Sequence, residues 1–401
     1  MRSFTTFLVE ESTEDKLKHL EHPEDHLLKS GEPGFHHAFN TLKTSAETLQ
    51  GHDTGTKLMT KYDGAPSVVF GHHPETGKFF VASKSAFNKD PKINYTEADI
   101  ERNHGHAPGL VKKLKAALKH MPKVAPKAGV FQGDFLYNKE DNDVTDTGKE
   151  YHFKPQLINY ETPKNSDQGK KIARAKMGFY VHTGYKGTDL ENMKADYTPD
   201  TSGFKQHPDV HMHHWHEGFD AKKAKYTDAE HAKFKQEMNA AGKLMTSGDR
   251  HSVFSAASHV DPDHMSTYIN KSVVHGEAPT VDGLHKHIQT RMQGKVDAVK
   301  TDKAKGEWTA KMTQQTAAVK QNKKHLEQLL QMHQHMQNAK NALLPALARG
   351  DTSGYKYSIN GQPSTAEGTV AVTKDNRPTK YVNRGSGGFA QVNLSKGGFK
   401  K

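Results

Sequence analysis

Two groups of strand-like sequence, separated by a long polar segment, restrict most strongly how this chain can fold. Apolar and polar residues alternate from about residue 57 to 185, and again after Gly350. Between about 190 and 350, His, Lys, Gln, Met and Ala dominate, and apolar residues recur at helical spacing. We predict one α+β domain interrupted by a large helical insertion, because residues 351–401 alone can form only a thin core. Two independent domains are the alternative.

The chain of 401 residues is therefore divided into four parts. Residues 1–30 are predicted to be a charged, His-rich N-terminal leader or tether. Residues 31–189 form the first part of the α+β domain, residues 190–350 the His- and Lys-rich helical insertion, and residues 351–401 the second part. The predicted elements are helices over Gly34–Leu49, Leu110–Met121 and Leu326–Leu343, the last ending at Pro345 and Gly350, and strands over Leu58–Asp63, Ser67–Gly71, Lys78–Ser83, Gly129–Tyr137, Met177–Tyr185, Tyr355–Ile359, Gly368–Thr373 and Thr379–Val382.

Composition narrows the classes of partner and chemistry. The formal net charge of +11 favours a polyanionic partner such as nucleic acid. The absence of cysteine excludes disulfides, zinc–thiolate sites and thiol catalysis. No apolar run is long enough to span a membrane, so we predict no membrane partner, and the sequence does not reveal an oligomeric state.

Lys61, in the run Lys61-Tyr62-Asp63-Gly64, is the strongest candidate for a catalytic residue. An amine attacks a phosphoryl centre only when it is neutral part of the time, and burial or nearby positive charge lowers its pKa. A strand that ends before a tight turn would hold this amine at the floor of a cleft, with Asp63 and Gly64 forming the turn. An ordinary strand-to-turn sequence has the same four residues, so the pattern alone is weak.

The run resembles motif I of the covalent nucleotidyltransferase superfamily, which contains ATP-dependent DNA and RNA ligases and mRNA capping enzymes. This resemblance implies a ligase-type fold, in which antiparallel sheets are flanked by helices. It also implies that Lys61 takes AMP from ATP as a phosphoramidate, in the presence of Mg²⁺ or Mn²⁺. Asp63 and Gly64 would then contribute to nucleotide binding, and GTP stays open as an alternative to ATP.

Further motifs follow in the order that the superfamily has. Lys84 is similar to a cation that contacts the nucleotide sugar. The run Phe131-Gln132-Gly133-Asp134 resembles motif III, in which a carboxylate, here Asp134, binds the ribose. A later strand resembles the one whose ring stacks on the purine, and His182 and Tyr180 are alternatives for that ring, because side chains two apart share a strand face.

Two motifs of the second part of the domain complete the resemblance. Glu367-Gly368-Thr369-Val370 resembles motif IV, which implies that Glu367 holds a divalent metal near the phosphates. Lys380 fits motif V, and its ammonium would stabilise charge on the α-phosphate as a second catalytic residue.

Departures from the superfamily pattern favour its RNA-ligase side. Pro66 stands where DNA ligases usually carry Arg, and the sequence ends soon after Lys380, so we expect no motif VI barrel. The resemblance therefore implies an ATP-dependent ligase of RNA or DNA ends. A DNA ligase or another nucleotidyltransferase is the alternative.

Other runs are similar to ligase-like proteins of large tailed bacteriophages, namely His19–Asp25, Ile93–Glu97 and Phe131–Asp134. The residues Met1–Leu8 are similar to leaders that send internal proteins into T-even-type phage heads. These resemblances imply the host cytoplasm, with packaging in the phage head as an alternative. They also keep open a non-catalytic virion or nucleic-acid-binding protein that retains the fold.

The run His211-Met212-His213-His214-Trp215-His216 is a candidate metal site. On a helix, His213 and His216 would share a face, and neutral imidazoles bind zinc or nickel. The chain has 28 His, however, and no carboxylate motif accompanies this run. A general His bias is therefore the favoured interpretation.

Overall fold

The computed structural model describes residues 20–396 and divides them into two compact units. Unit 1 contains Leu20, residues 57–223 and residues 350–378. Unit 2 contains residues 21–56, 224–349 and 379–396. The predicted leader falls mostly on residues 1–19, which lie outside the described residues.

Unit 1 carries nearly all the strands and three helices. Its elements are β1 (Lys57–Lys61), β2 (Ser67–His72), β3 (Phe79–Ala82), α2 (Glu97–His104), α3 (Pro108–His120), β4 (Val130–Asn138), β5 (Val144–Asp146), β6 (Glu150–Phe153), β7 (Asn159–Pro163), α4 (Asp167–Arg174), β8 (Met177–Lys186), β9 (Lys194–Asp196), β10 (Val210–His214), β11 (Lys356–Ile359), β12 (Gln362–Ser364) and β13 (Gly368–Val372). The predicted strands agree with β1–β4, β8, β11 and β13 to within two or three residues.

The strands of unit 1 form two sheets and a separate pair. The larger sheet has the order β10-β8-β4-β2-β3, with β9 also on β8, and only β10 runs parallel to its neighbour β8. The second sheet has the order β12-β11-β7-β6-β5 and is antiparallel throughout. Strands β1 and β13 form an antiparallel pair.

Apolar side chains alternate between the two faces of the larger sheet. Val68 and Phe70 of β2 pack in one cluster with Phe135 of β4 and Leu114 of α3. Val69, which lies between them in sequence, packs in a second cluster on the other face. Both faces are covered, which explains the nearly continuous apolar character of these strands. The α+β class predicted from the sequence is confirmed.

Unit 2 is helical. Its elements are α1 (Pro23–Leu49), α5 (Asp228–Thr246), α6 (Arg250–Ser258), α7 (Pro262–His275), α8 (Val281–Ala298), α9 (Asp302–Gln321), α10 (Lys323–Arg349) and α11 (Phe389–Ser395), and β14 (Pro378–Val382) begins on the last residue of unit 1. Among residues 20–396, no helix is long and apolar enough to cross a membrane.

The structure differs from the predicted boundaries of the insertion and the tether. Residues 190–223 belong to unit 1 and include β9 and β10, so the helices begin only at Asp228. Hydrogen bonding of β10 to β8, which is distant in sequence, stabilises this extended segment. Helix α1 begins at Pro23 rather than Gly34, because helical turns already precede a kink at Gly31, whose φ of 59° suits glycine.

Pro345 and Gly350 are predicted to mark the end of helix α10, and the helix continues through Pro345 to Arg349, directly before Gly350. Proline removes one helical hydrogen bond and normally kinks or ends a helix. Here Leu343, Ala346 and Leu347 are all buried, so the apolar stripe continues past the proline. Burial of that stripe offsets the missing hydrogen bond.

A buried ionic network holds the first turn of α1 in unit 2. The guanidinium of Arg384 donates two hydrogen bonds to the carboxylate of Asp25, at 2.8 and 2.6 Å, and His333 Nε2 lies 3.1 Å from the same carboxylate. Lys340 Nζ donates to Glu24 at 2.5 Å, and both side chains are fully buried. These partners explain why residues 23–30 are ordered helix and not a tether.

We predict that Asp25→Asn lowers the free energy of unfolding by about 3 kcal/mol at neutral pH, because it removes the carboxylate that pairs with both terminal nitrogens of the buried Arg384 and leaves that guanidinium with the longer 3.3 Å contact to Glu24. Burial alone would raise the pKa of Asp25, but Arg384 and His333 hold it well below its usual range. The carboxylate therefore stabilises the fold above the unfolded-state pKa, and this contribution is lost as pH falls through the folded-state pKa. Urea unfolding at several pH values measures the difference.

The exposed Asp297 of α8 provides a matched control. Asp297→Asn is expected to change the urea midpoint little at any pH. A difference between wild type and Asp25→Asn that stays constant down to strongly acidic pH would contradict the role of the Asp25 charge.

Candidate active site

The pairing of β1 with β13 brings Lys61 next to Glu367. Lys61 lies opposite Gly368 in the register, so the preceding residue, Glu367, is adjacent to the Lys61 side chain. Lys61 Nζ donates a hydrogen bond to Glu367 Oε2, and the two side chains are 23% and 10% exposed. Two residues that are 306 positions apart in sequence thus form a half-buried ion pair.

Asp134 lies close to the same amine. It is on the central strand β4, opposite Ser67 of β2 and Tyr180 of β8. Its Oδ1 lies 3.5 Å from His182 Nε2. The carboxylate also interacts with the hydroxyl of Ser67 and with the charge of Lys61. Ser67 was not among the predicted site residues, although its place in the strand after Gly64 is the signal that could have identified it.

A β-bulge in β8 places His182 and Tyr180 in different surroundings. Gln132 pairs with Thr183 and Gly133 pairs with Val181, which leaves His182 between them without a strand partner. The regular alternation expected for this strand is therefore interrupted. His182 is half-exposed beside Asp134.

Tyr180 is buried in the interior of unit 1. It is 4% exposed, its hydroxyl donates to the Thr60 carbonyl at 3.3 Å, and its ring centroid lies 4.6 Å from that of Tyr62. A nucleobase could reach this ring only after the side chain moved. Of the two alternatives for a stacking ring, His182 is the accessible one.

Asp63 and Gly64 hold the turn after β1 in place. The Asp63 carboxylate accepts hydrogen bonds from the backbone N–H groups of Leu157 and Ile158, at 2.7 and 2.8 Å. A Cβ on Gly64 would lie only 2.6 Å from the Cβ of Asp134, so only glycine permits this approach. Asp63 is 4% exposed, and the described hydrogen bonds of its carboxylate are with the protein backbone, which is an anchoring role.

Charges around Lys61 oppose the activation that its sequence context suggests. Burial lowers the pKa of Lys61, but Glu367, and then Asp134 and Asp63, raise it, and the net pKa is above its ordinary value. Lys61 is therefore an ammonium at neutral pH in this arrangement. Burial alone would raise the pKa of Asp134, but His182, Ser67 and Lys61 bring it below its ordinary value, so Asp134 is an anion.

The two remaining predicted site residues lie elsewhere in the chain. Lys84 begins a 3-10 turn, Lys84–Phe87, directly after β3, and its half-buried side chain has no ion-pair partner among residues 20–396. Lys380 is on β14 in the part of that strand assigned to unit 2, where its backbone N–H donates to the Glu21 carbonyl at 2.9 Å. Their predicted roles stay predictions.

The His211–His216 run does not form the predicted helix face, because β10 extends through His214. His211 and His213 are buried, and their ring nitrogens contact the hydroxyls of Tyr137, at 3.0 Å, and Tyr355, at 2.9 Å. In the described part of the chain, one group of three side chains has metal-ligating atoms within 4.8 Å of one another, and it comprises Glu150, His152 and Glu161.

Comparison with known protein families matches residues 16–397 to a family described as "Family of unknown function (DUF6267)". The chain belongs to this family, since the match covers nearly its full length. Searches of the curated proteins and of the solved structures found no match.

We predict that Gly64→Ala destabilises unit 1 by about 2 kcal/mol, because the added methyl group overlaps Asp134 and forces the turn and β4 apart. Gly109→Ala is the matched control, since a Cβ at Gly109, near the start of α3, meets nothing within 4 Å. Urea unfolding of the two variants tests the close approach. Equal stability of both variants would contradict it.

We also predict that Glu367→Gln lowers the pKa of Lys61. The substitution removes the main charge that offsets burial, so the folded protein binds the Lys61 proton less tightly. Competitive acetylation at a series of pH values, read by peptide mass spectrometry, measures this pKa. Glu140→Gln removes a carboxylate that pairs with Lys119 instead and should leave the Lys61 profile unchanged.

Proposed function

We propose that this protein is an ATP-dependent polynucleotide ligase that acts through a lysyl-AMP intermediate on Lys61. The observation that carries the proposal is the ion pair of Lys61 with Glu367, together with the electrostatic interaction of Asp134 with the same amine. Each of these three residues belongs to a different motif of the resemblance, namely motifs I, III and IV. A chance motif in a turn would not require carboxylates from two distant segments beside the same Lys.

The first step is nucleotidyl transfer to Lys61. The amine nitrogen attacks the α-phosphorus of ATP, the new N–P bond forms, and the bond from α-phosphorus to the bridging oxygen of pyrophosphate breaks. Pyrophosphate leaves, and the amine proton goes to solvent. Positioning and charge stabilisation supply most of the acceleration in such transfers.

Loss of the Lys61 proton is the central requirement of this step, because the ion pair with Glu367 holds the amine in its protonated form. The oxygen donors of Glu367 and Asp134 suit Mg²⁺ or Mn²⁺. Such a cation, when bound, would draw Glu367 away from Lys61, lower the pKa of the amine and neutralise phosphate charge.

Other residues of the proposed site would orient the nucleotide. His182 is half-exposed beside Asp134 and is suited to contact a ribose or a base edge. Asp63 and Gly64 would fix the turn that presents Lys61, through the contacts of Asp63 with the 157–158 backbone. Lys84 is proposed to contact the sugar, and Lys380 the α-phosphate, on the basis of the motif resemblance.

The later steps rest on the same resemblance. The adenylyl group passes to the 5′-phosphate of a nucleic acid, and a 3′-hydroxyl then attacks that phosphate with release of AMP. Pro66, in place of an Arg typical of DNA ligases, favours RNA ends as the substrate. The proposed setting is the host cytoplasm during phage infection, or the phage head if the protein is packaged.

A non-catalytic protein that retains the fold is the second candidate. The raised pKa of Lys61 favours it, because an amine that stays paired with Glu367 is a structural ion pair and not a nucleophile. In that case the protein would bind nucleic acid or form part of the virion. The two candidates differ in whether Lys61 becomes covalently modified.

We predict that the purified protein, incubated with ATP labelled on the α-phosphate and Mg²⁺, forms an adduct that survives heat denaturation and maps to Lys61. Lys61→Ala should abolish the adduct, because no other amine occupies this position. Lys57→Ala is the matched control, since Lys57 lies at the exposed start of the same strand, β1, and should leave the adduct unchanged. Mass spectrometry of the digested protein locates the modification.

The outcomes separate the candidates. A folded wild-type protein that forms no adduct supports the non-catalytic candidate and sinks the enzyme proposal. An adduct that persists in Lys61→Ala moves the nucleophile elsewhere. If the adduct forms, supplying nicked RNA, nicked DNA and single strands to the adenylylated protein identifies the acceptor.

A further inference from the structure

Unit 2 contains a cavity that no part of the proposed ligase chemistry uses. Its volume is about 500 Å³, and it lies among α7, α8 and α9. Its lining residues are Asp261, Asp263, His264, Arg291, Met292, Lys295, Trp308, Lys311, Gln314 and Gln315. The lining combines three cationic side chains, one large aromatic ring and two primary amides.

The three cations of the cavity have no carboxylate partner. Within residues 20–396, Arg291, Lys295 and Lys311 form no ion pair at 4.0 Å or less. On α3, by contrast, Lys113 pairs with Asp141 at 2.9 Å, and Lys115 pairs with Glu101 at 2.8 Å. Cations that converge on one cavity and are not paired with a carboxylate can bind an anion, such as phosphate, without first breaking an ion pair.

The two residues of the lining that carry a carboxylate, Asp261 and Asp263, lie at the start of α7. Asp261 is the N-cap residue, and its Oδ1 accepts the backbone N–H of Asp263 at 2.9 Å. Asp263 lies in the first turn, where a carboxylate is favoured by the helix dipole. The Asp261 carboxylate is thus hydrogen-bonded at the helix start, Asp263 is exposed, and neither forms an ion pair with the described cations of α8 and α9.

Trp308 and the Gln314 amide supply the groups that would recognise a base. Lys311 Nζ lies 4.9 Å from the centre of the half-buried Trp308 ring, so cation and ring are adjacent. Arg291 donates a hydrogen bond to His264 Nδ1, at 3.0 Å, which holds the guanidinium at the cavity wall. Gln314 carries both a donor and an acceptor suited to base edges, whereas the Gln315 amide accepts the Asp261 N–H at 2.9 Å and donates to the His259 carbonyl at 3.4 Å.

We propose that this cavity binds a nucleoside phosphate unit, with the base stacked on Trp308 and the phosphate held by Arg291, Lys295 and Lys311. Stacking on an aromatic ring beside phosphate-binding cations is the general means of binding single-stranded nucleic acid. The unit comes either from a single strand or from a free nucleotide, and the two sources share this chemistry. The site is independent of Lys61, so it stands or falls separately from the ligase proposal.

The test measures binding of a fluorescent single-stranded RNA of about twelve nucleotides to the full-length protein at several salt concentrations. Trp308→Ala should weaken binding about tenfold, whereas Trp308→Phe, which keeps a ring, should stay within about threefold of wild type. Lys295→Gln and Lys311→Gln should each reduce the slope of log affinity against log salt by about 0.7.

Lys305→Gln is the matched control, because Lys305 is an exposed residue of α9 outside the lining. It should lower the salt slope less than Lys311→Gln does. Circular dichroism of every variant checks that the helices are intact, and the Phe variant separates loss of the ring from loss of fold. Unchanged affinity in Trp308→Ala, or slopes in the Lys295 and Lys311 variants equal to that of Lys305→Gln, would overturn the proposal, as would absence of binding by wild type.

Competition identifies the source of the unit. If AMP displaces the labelled strand from wild type as well as an unlabelled strand does, the ligand is a free nucleotide. If only strands compete, the ligand is nucleic acid. The two assays use different residues and different readouts, so a failed adduct assay leaves this result intact, and failure here leaves the adduct assay intact.

Discussion

The antiparallel pairing of β1 with β13 is the constraint on which the candidate site depends. The chain leaves unit 1 after residue 223 and returns at residue 350, and this strand pair joins the two segments. The register that places Lys61 opposite Gly368 also places Glu367 beside the amine. A slip of one residue would turn Glu367 to the opposite face and remove the partner of Lys61.

Compensation of buried charge follows the same rule in both units. In unit 1, Lys61 is balanced by Glu367 and Asp134, and in unit 2, Lys340 and Arg384 are balanced by Glu24 and Asp25. A charge removed from water needs a partner of opposite sign at hydrogen-bond distance. The network of unit 2 is completed within the protein, whereas the half-exposed cluster of unit 1 retains access to a ligand.

The structure distinguishes cations that form ion pairs from cations that do not, whereas the net charge counts both kinds together. The lysines of α3 pair with acidic residues of neighbouring elements, as Lys113 does with Asp141. The cavity of α7, α8 and α9 instead collects cations without such partners. The net charge alone therefore does not show that unpaired cations are concentrated at this cavity of unit 2.

Much of the fold could be predicted from periodicity, because helix and strand spacing reflect local burial. The predicted strands agree with β2, β4 and β8, and the predicted helix with α3, to within a few residues. The errors share a cause. Strand β10 depends on its pairing with β8, and the early start of α1 depends on contacts with residues that are distant in sequence, so local patterns missed both.

The candidate site likewise has features that short motifs predicted and features that they did not. Short motifs identified Lys61, Asp134 and Glu367, since such residue types at ordered positions are visible in a sequence. The bulge at His182, the anchoring of Asp63 by backbone N–H groups and the raised pKa of Lys61 were not visible. Each of these depends on distances between atoms that only strand register and packing establish.

The sequence by itself thus determined the α+β class, most of the elements and the identity of the chemically capable residues. The tertiary structure decided which of them meet, which are buried and which charges are compensated. The physical reason is that residue type and spacing set local conformation, whereas electrostatic environment depends on neighbours that are far away in sequence, as for Lys61 and Glu367, which are 306 positions apart.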